Sequence, residues 1–128
     1  MPLAVHETEI RVRYQETDAQ RRVHHANYLT YFEIGRTEML RARGATYREF
    51  EEAGLFLVVG EASCRYRAAA EYDDVLLVRT YVEKVGGASI EHGYEVIRDK
   101  QIIATGRTVV VCVDREGRVR RLPQWLLE

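Results

Sequence analysis

Near the start of the chain Ile10, Val12 and Tyr14 fall on one side, and Glu9, Arg11 and Arg13 on the other. A period of two sends successive side chains to opposite faces of an extended backbone, so this stretch predicts a half-buried strand. The polar residues 15–24 carry no such alternation and read as a loop. Then the period changes. Leu29, Phe32, Gly35 and Met39, with Tyr28 alongside, recur at spacings of three and four and predict one apolar stripe on a helix over about 26–43. Gly44 is its natural stop. Glycine inside a helix costs about 1 kcal/mol against alanine, so Gly35 is expected to let the helix lie close against another element. A short second helix is expected over 46–53, before Gly54.

From there the pattern is that of strands. Residues 55–67 are extended and apolar-rich. Leu76, Val78, Thr80 and Val82 alternate with Leu77, Arg79, Tyr81 and Glu83, and Gly86-Gly87 makes a tight turn. Ile90, His92, Tyr94 and Val96 share the next face, and Arg98-Asp99-Lys100 supplies another turn. Residues 102–113, with Val109-Val110-Val111, are apolar on both faces near their end, as a central strand would be. Residues 114–117 turn the chain again. One amphipathic helix and one sheet must bury their apolar faces on each other. The expected class is α+β, an antiparallel sheet curved around one long central helix, with residues 1–128 as a single domain.

Composition narrows the function classes. Hydrophobic residues make up 46 % of the 128, enough for an ordinary core without metal or disulfide staples. Nineteen Lys and Arg against twenty Asp and Glu leave a formal charge of −1, which argues against a broad nucleic-acid surface. The arginines at 115, 118, 120 and 121 are interrupted by Glu116 and read as flanking a solvated turn. No segment approaches the ~20 apolar residues of a membrane span, and the opening residues lack the basic start and apolar run of a signal peptide. Cys64 and Cys112 lie far apart in strand-like sequence and are expected as buried free thiols, which fits a cytoplasmic location.

The segment from Tyr14 to Tyr28 concentrates the candidate chemistry: Asp18, His24, His25 and Asn27 stand between the first strand and the main helix. Loops on a rigid scaffold are where reactive groups gather. The first N–H groups of a helix lack intrahelical acceptors and carry partial positive charge, so they can hold an anion or a carbonyl oxygen becoming one. On pattern alone, however, Asp18 reads first as a turn or capping residue. Adjacent histidines point about 100° apart on a helix and lack the i, i+4 spacing of a zinc pair, so no metal site is expected. His24 reads as structural, His6 as a solvated terminal residue, and His92 as a satisfied core histidine. Glu33, Arg36 and Glu38 read as solvent-facing or internally paired helix charges.

The pattern Tyr14-x-Glu16-Thr17-Asp18, then six residues, then His25-Ala-Asn-Tyr-Leu-x-Tyr-Phe-Glu33-x-x-Arg36 resembles the signature of the 4-hydroxybenzoyl-CoA thioesterase family, closest to its bacterial acyl-CoA thioesterase branch. The similarity continues through Arg65-Tyr-Arg, Tyr72-Asp73-Asp74, Ser89-Ile90 and Cys112-Val-Asp114, and covers about residues 7–122. The resemblance implies a hot-dog fold with helix 26–43 as the filling. It implies an acyl-CoA thioesterase without a cofactor, and a homodimer joined edge to edge with its sites at the interface, extending to a homotetramer. The family's catalytic aspartate falls on Asp18, and the helix-start position whose N–H polarises the thioester carbonyl falls on His25. Relatives often carry an aromatic residue and then histidine, or tryptophan and tyrosine, where this chain has His24-His25. That change keeps the backbone role and leaves any side-chain role open. The resemblance also allows Glu33 and Arg36 to support the site.

Thioester hydrolysis needs an activated water or a nucleophile, and a place for the developing oxyanion. The thiolate leaves readily because thiol pKa values lie near about 8–9. A carboxylate at residue 18 can act as general base or attack the carbonyl itself; the residues do not choose. Coenzyme A also brings phosphates, for which Arg65, Arg67, Lys84, Ser89, Arg98 and Lys100 are candidates, with Ser89 and Arg65 preferred as substrate-binding residues. Two rival readings stand. One is a hydroxyacyl-thioester dehydratase, in which His25 and Glu33 act as loop histidine and helical acid, although the proline-glycine stretch between them is absent. The other is a non-catalytic acyl-CoA-binding dimer, which would leave Asp18 without a purpose.

Overall fold

A computed structural model describes residues 4–127. Five strands form one antiparallel sheet: β1 (Ala4–Arg11), β2 (Leu55–Tyr66), β3 (Val75–Val85), β4 (Ser89–Arg98) and β5 (Gln101–Asp114). Between β1 and β2 run the long helix α1 (Asn27–Ala42) and the short helix α2 (Tyr47–Glu52), whose Thr46 cap accepts the Glu49 N–H at 3.2 Å. The order across the sheet is β1-β3-β4-β5-β2. Consecutive hairpins build β3-β4-β5, and the strands flanking the helical segment close the two edges. β2 therefore pairs with β5, through Leu55↔Asp114 to Tyr66↔Ala104, and not with its sequence neighbour β3.

The helix lies on the inner face of this sheet. Tyr28, Tyr31 and Phe32 of α1 form one buried cluster with Leu76 and Val78 of β3, Tyr94 and Val96 of β4, and Ile103 and Ala104 of β5. A second cluster joins Met39 and Leu40 to Phe50, Val82, Ile90, Val110 and Cys112. The α+β hot-dog architecture is thus the one expected, a curved antiparallel sheet with α1 as its filling.

The apolar stripe differs in one member. Leu29 is 40 % exposed, and the buried face runs instead through Tyr28, Tyr31, Phe32, Gly35, Met39 and Leu40. Position 29 lies on the same side of α1 as the buried Arg36 and Leu40, but in the first turn of the helix. Tyr14 also departs from expectation. β1 ends at Arg11, and a 3₁₀ turn over Tyr14–Glu16 rotates the tyrosine out of the strand register. Its ring, 73 % exposed, stacks on Tyr72 at 3.8 Å. His6 is half-buried within β1, where a solvated terminus is expected, and Cys64 is half-buried where full burial is expected. His92 is buried as expected, yet among the described residues its Nδ1 has no hydrogen-bond partner, so it is not a satisfied core histidine.

Gly35 does what its place in the stripe suggests. A Cβ there would collide with Thr80 Oγ1 and stand 3.1 Å from Val78 Cγ1. Both neighbours are fully buried on β3 and have little room to retreat. Gly35→Ala is therefore expected to destabilise the fold by about 1–3 kcal/mol through overpacking, in spite of the ~1 kcal/mol it gains in helix propensity. Urea unfolding midpoints measure the difference, and an unchanged or higher midpoint would mean that α1 is free to shift.

Candidate active site

The loop from Arg13 to Ala26 is organised by Glu16. Its side chain is buried and accepts from the Arg13 backbone N–H at 2.9 Å, the Arg13 Nε at 2.7 Å and the Tyr31 hydroxyl at 2.8 Å. Burial alone would raise its pKa, but the bonds from Arg13 and Tyr31 outweigh that and hold the carboxyl below its ordinary range. The same residue works through its backbone: Glu16 O accepts the His24 N–H and the Asn27 side-chain amide, both at 2.8 Å. Glu16 thus ties the loop to the start of α1.

Asp18 sits in a tight turn that this frame supports. A bridge between Thr17 and Val23 closes the turn, with Asp18 N–H donating to Arg22 O at 2.9 Å and Arg21 N–H to Asp18 O at 3.0 Å. Arg21 takes a left-handed φ of 64° inside it. Asp18 Oδ1 accepts the Gln20 N–H at 2.8 Å. Its Oδ2 has no protein donor among the described residues. The Asx-turn that pattern alone suggests for Asp18 is therefore present, and it leaves one carboxylate oxygen free.

At the helix start, His24 Nδ1 accepts the Ala26 N–H at 3.2 Å, and the two histidine rings stack at 4.3 Å. Asn27 N–H reaches His24 O at 2.9 Å, and Tyr28 N–H reaches His25 O at 3.3 Å. The Tyr66 hydroxyl, from β2, donates to that same His25 carbonyl at 2.9 Å. Burial, and the Cys64 thiol beside it, push the Tyr66 hydroxyl up to about 12, so it stays a donor across the ordinary pH range. No acceptor among the described residues takes the His25 N–H. It remains available at the electropositive end of α1.

These features open on one cavity of about 280 Å³, lined by Asp18, Gln20, Arg22, His25, Tyr28, Tyr66 and Arg67 together with Val23, Ala68 and Ala69. The fold therefore brings Asp18 and His25 together. It does not bring Ser89 and Arg65 to them within one chain. Arg65 is exposed on β2, and strand alternation points it away from the face of Cys64 and Tyr66. The row of Ser89 runs through Val111 to Val58, seven residues from Arg65 on β2, or about 23 Å. Glu33 is exposed and does not line the cavity, so the histidine-acid pair of the dehydratase reading is not assembled in one chain. Arg36 is buried, not solvent-facing, and belongs to a different cavity beyond Phe32.

Three contributors escape the sequence reading, Glu16, Tyr66 and Arg22, while Arg67, a phosphate candidate there, does line the cavity. Glu16 is part of the quoted motif, but nothing in its spacing says that a carboxylate will be buried. Tyr66 could have been found, since the alternation of β2 puts Cys64 and Tyr66 on one side and Arg65 on the other.

The profile of the thioesterase-like superfamily matches residues 12–128. The acyl-CoA thioesterase YbgC of Haemophilus influenzae is 40 % identical over 106 residues, 82 % of this chain and 78 % of that one. Among solved structures, a hypothetical protein from Aquifex aeolicus superposes with a TM-score of 0.92 at 34 % identity, covering 95 % of this chain and 96 % of the other. A DHNA-CoA thioesterase from Staphylococcus aureus superposes with a TM-score of 0.89 at 30 % identity, covering 92 % and 80 %.

Proposed function

We propose that this chain, which belongs to the thioesterase-like superfamily, hydrolyses acyl-CoA thioesters to the free acid and CoA, with residues 1–128 acting as one hot-dog domain. Within the superfamily we place it in the 4-hydroxybenzoyl-CoA thioesterase family. The observation that carries the reading is that Asp18, with one carboxylate oxygen that takes no protein donor among the described residues, and His25, whose N–H is unused among them, line the same cavity.

The chemistry follows from that pair. A thioester carbonyl placed against the His25 N–H has its oxygen polarised by a donor that needs no reorganisation, and by the dipole of α1 behind it. Asp18 then takes a proton from an attacking water, or adds to the carbonyl carbon itself, in which case water afterwards cleaves the mixed anhydride left on Asp18 to release the acid. The tetrahedral centre collapses with departure of the CoA thiolate. No cofactor enters. Arg22 and Arg67 stand on the cavity wall, where they suit the phosphates of the nucleotide.

Assembly would complete the site. β2 has β5 on one side and, among the described residues, no strand on the other, and Val58 and Val59 are 44 % and 50 % exposed along it. An unpaired apolar edge invites strand addition. Two β2 strands meeting antiparallel about a twofold axis would make a homodimer with a continuous sheet. The strand reversal would bring the Ser89 end of one protomer toward the Asp18 end of its partner, which rescues Ser89 as a substrate-binding residue. Two such dimers would give the homotetramer. Among the described residues no helix is long and apolar enough to cross a membrane, and we place the enzyme in the cytoplasm.

Release of free thiol across a panel of acyl-CoA chain lengths tests the proposal; tight binding with no thiol released would leave only the binding role. Tyr66→Phe offers a finer check. Losing the hydroxyl that holds the His25 carbonyl is expected to cost about 1 kcal/mol of positioning, or roughly fivefold in kcat/KM, with the melting temperature nearly unchanged. Light scattering at several concentrations measures the assembly.

A further inference from the structure

A second cavity, of about 470 Å³, lies beside the far half of α1. It shares no lining residue with the Asp18 cavity. Arg36, at its inner wall, is eight residues past Tyr28, about 12 Å along the helix. Between them stands Phe32, fully buried and stacked on Tyr94 at 4.3 Å.

Arg36 is only 8 % exposed, yet among the described residues no carboxylate comes within ion-pair distance of it. The nearby polar groups that its guanidinium influences are the hydroxyls of Tyr47 and Tyr94, which are neutral dipoles. Buried cations are ordinarily paired, because leaving one without a counter-charge costs several kcal/mol. Beside it His92, 6 % exposed, also lines the cavity and has a buried Nδ1 with no partner among the described residues. Burial first, then the neighbouring Arg36 cation, hold that imidazole down to about 4, so at neutral pH it offers a dipole and no second charge. The remaining wall is mainly apolar, with Met39, Leu40, Leu57, Val82 and Ile90, and it also includes the exposed Arg43.

We propose that this cavity binds a free aliphatic carboxylate, its head group paired with Arg36 beside His92 and its chain laid along the apolar wall. The charge selects the class: one buried guanidinium matches one carboxylate, which accepts its parallel N–H donors in a bidentate pair. A neutral alcohol leaves the cation unpaired, and an amine is repelled. The volume lies within the usual range of small-molecule sites, roughly 300–1,000 Å³. The site is independent of the Asp18 chemistry, so its test does not depend on hydrolysis.

Calorimetric titration of the full chain with monomeric decanoate is the experiment. One decanoate per chain is expected, with decanol at least tenfold weaker. Arg36→Met is expected to weaken decanoate at least tenfold, and Arg36→Lys to restore part of that loss. Should Arg36→Met not fold, Val85→Trp decides: Val85 is 36 % exposed at the rim, so a larger ring there narrows the entrance with little strain. It too is expected to weaken decanoate, whereas Asp18→Asn is expected to leave its affinity unchanged. Absence of binding to the wild-type chain overturns the proposal. So does equal affinity for decanol, undiminished affinity in the folded Arg36 or Val85 variants, or loss of binding in Asp18→Asn.

Discussion

Asp18→Asn is expected to lower kcat/KM for acyl-CoA hydrolysis by about 10²–10⁴-fold, the usual worth of a positioned general base, while leaving the melting curve where it was. The two halves of this expectation come from the two oxygens of the side chain. Oδ1 accepts the Gln20 N–H at 2.8 Å and shapes the turn. The amide oxygen of asparagine can accept the same bond, so the loop keeps its form. Oδ2, which has no protein donor among the described residues, becomes an NH₂ that can neither take a proton from water nor attack a carbonyl. A fold loss with a matching activity loss would make Asp18 a structural turn residue. Unchanged turnover in a stable variant would remove it from the mechanism altogether.

Glu16→Ala is expected to destabilise the protein by about 3 kcal/mol, since hydrogen bonds to a charged group contribute roughly 1.5–3 kcal/mol and orphaned buried partners add to the loss. Three donors converge on this carboxylate, and one of them, the Tyr31 hydroxyl, sits on a side chain that is 0 % exposed. Alanine leaves that hydroxyl buried and unpaired. The pH dependence has a definite sign. The folded carboxyl is held below its ordinary 4.5. Its contribution is therefore fully present above that value and is lost as pH falls through the lower, folded one. Glu16→Gln should flatten this acid limb of the stability profile, and chemical denaturation from neutral pH down to about pH 3 reads it directly. An acid limb of the same size in the glutamine variant would assign it to other carboxylates.

Periodicity made most of the fold legible. α1 and the strands from Val75 onward follow from spacings alone, because each buries one face and the pattern records which. The failures have physical causes. Tyr14 continues the alternation of Ile10 and Val12, but the strand has already ended, and periodicity cannot see a strand stop without a turn residue. Leu29 is apolar at an admissible spacing, yet it stands in the first turn of α1, and spacing alone does not record how far along the helix the burial extends. The partner of β2 is not encoded locally at all. At the site, Asp18 and His25 came from a motif, and the fold places both at one cavity. Arg65 and Ser89 were chosen for their chemistry without regard to facing, and in one chain the strand geometry separates them. Arg36 shows the limit most clearly: its helical position marks a charge, while its burial depends on β4, more than fifty residues away.

The two outer strands of the sheet also set a schedule for synthesis. Residue 55 finds its partner at 114, and residue 5 at 81. As the polypeptide leaves the ribosome, β1 must therefore wait, uncovered, until β3 is made, and β2 until the whole β3-β4-β5 meander is made. Pairings this distant in sequence close late and slowly. A waiting β2 that carries Leu55, Leu57, Val58 and Val59 is the segment for which neighbouring nascent chains would compete.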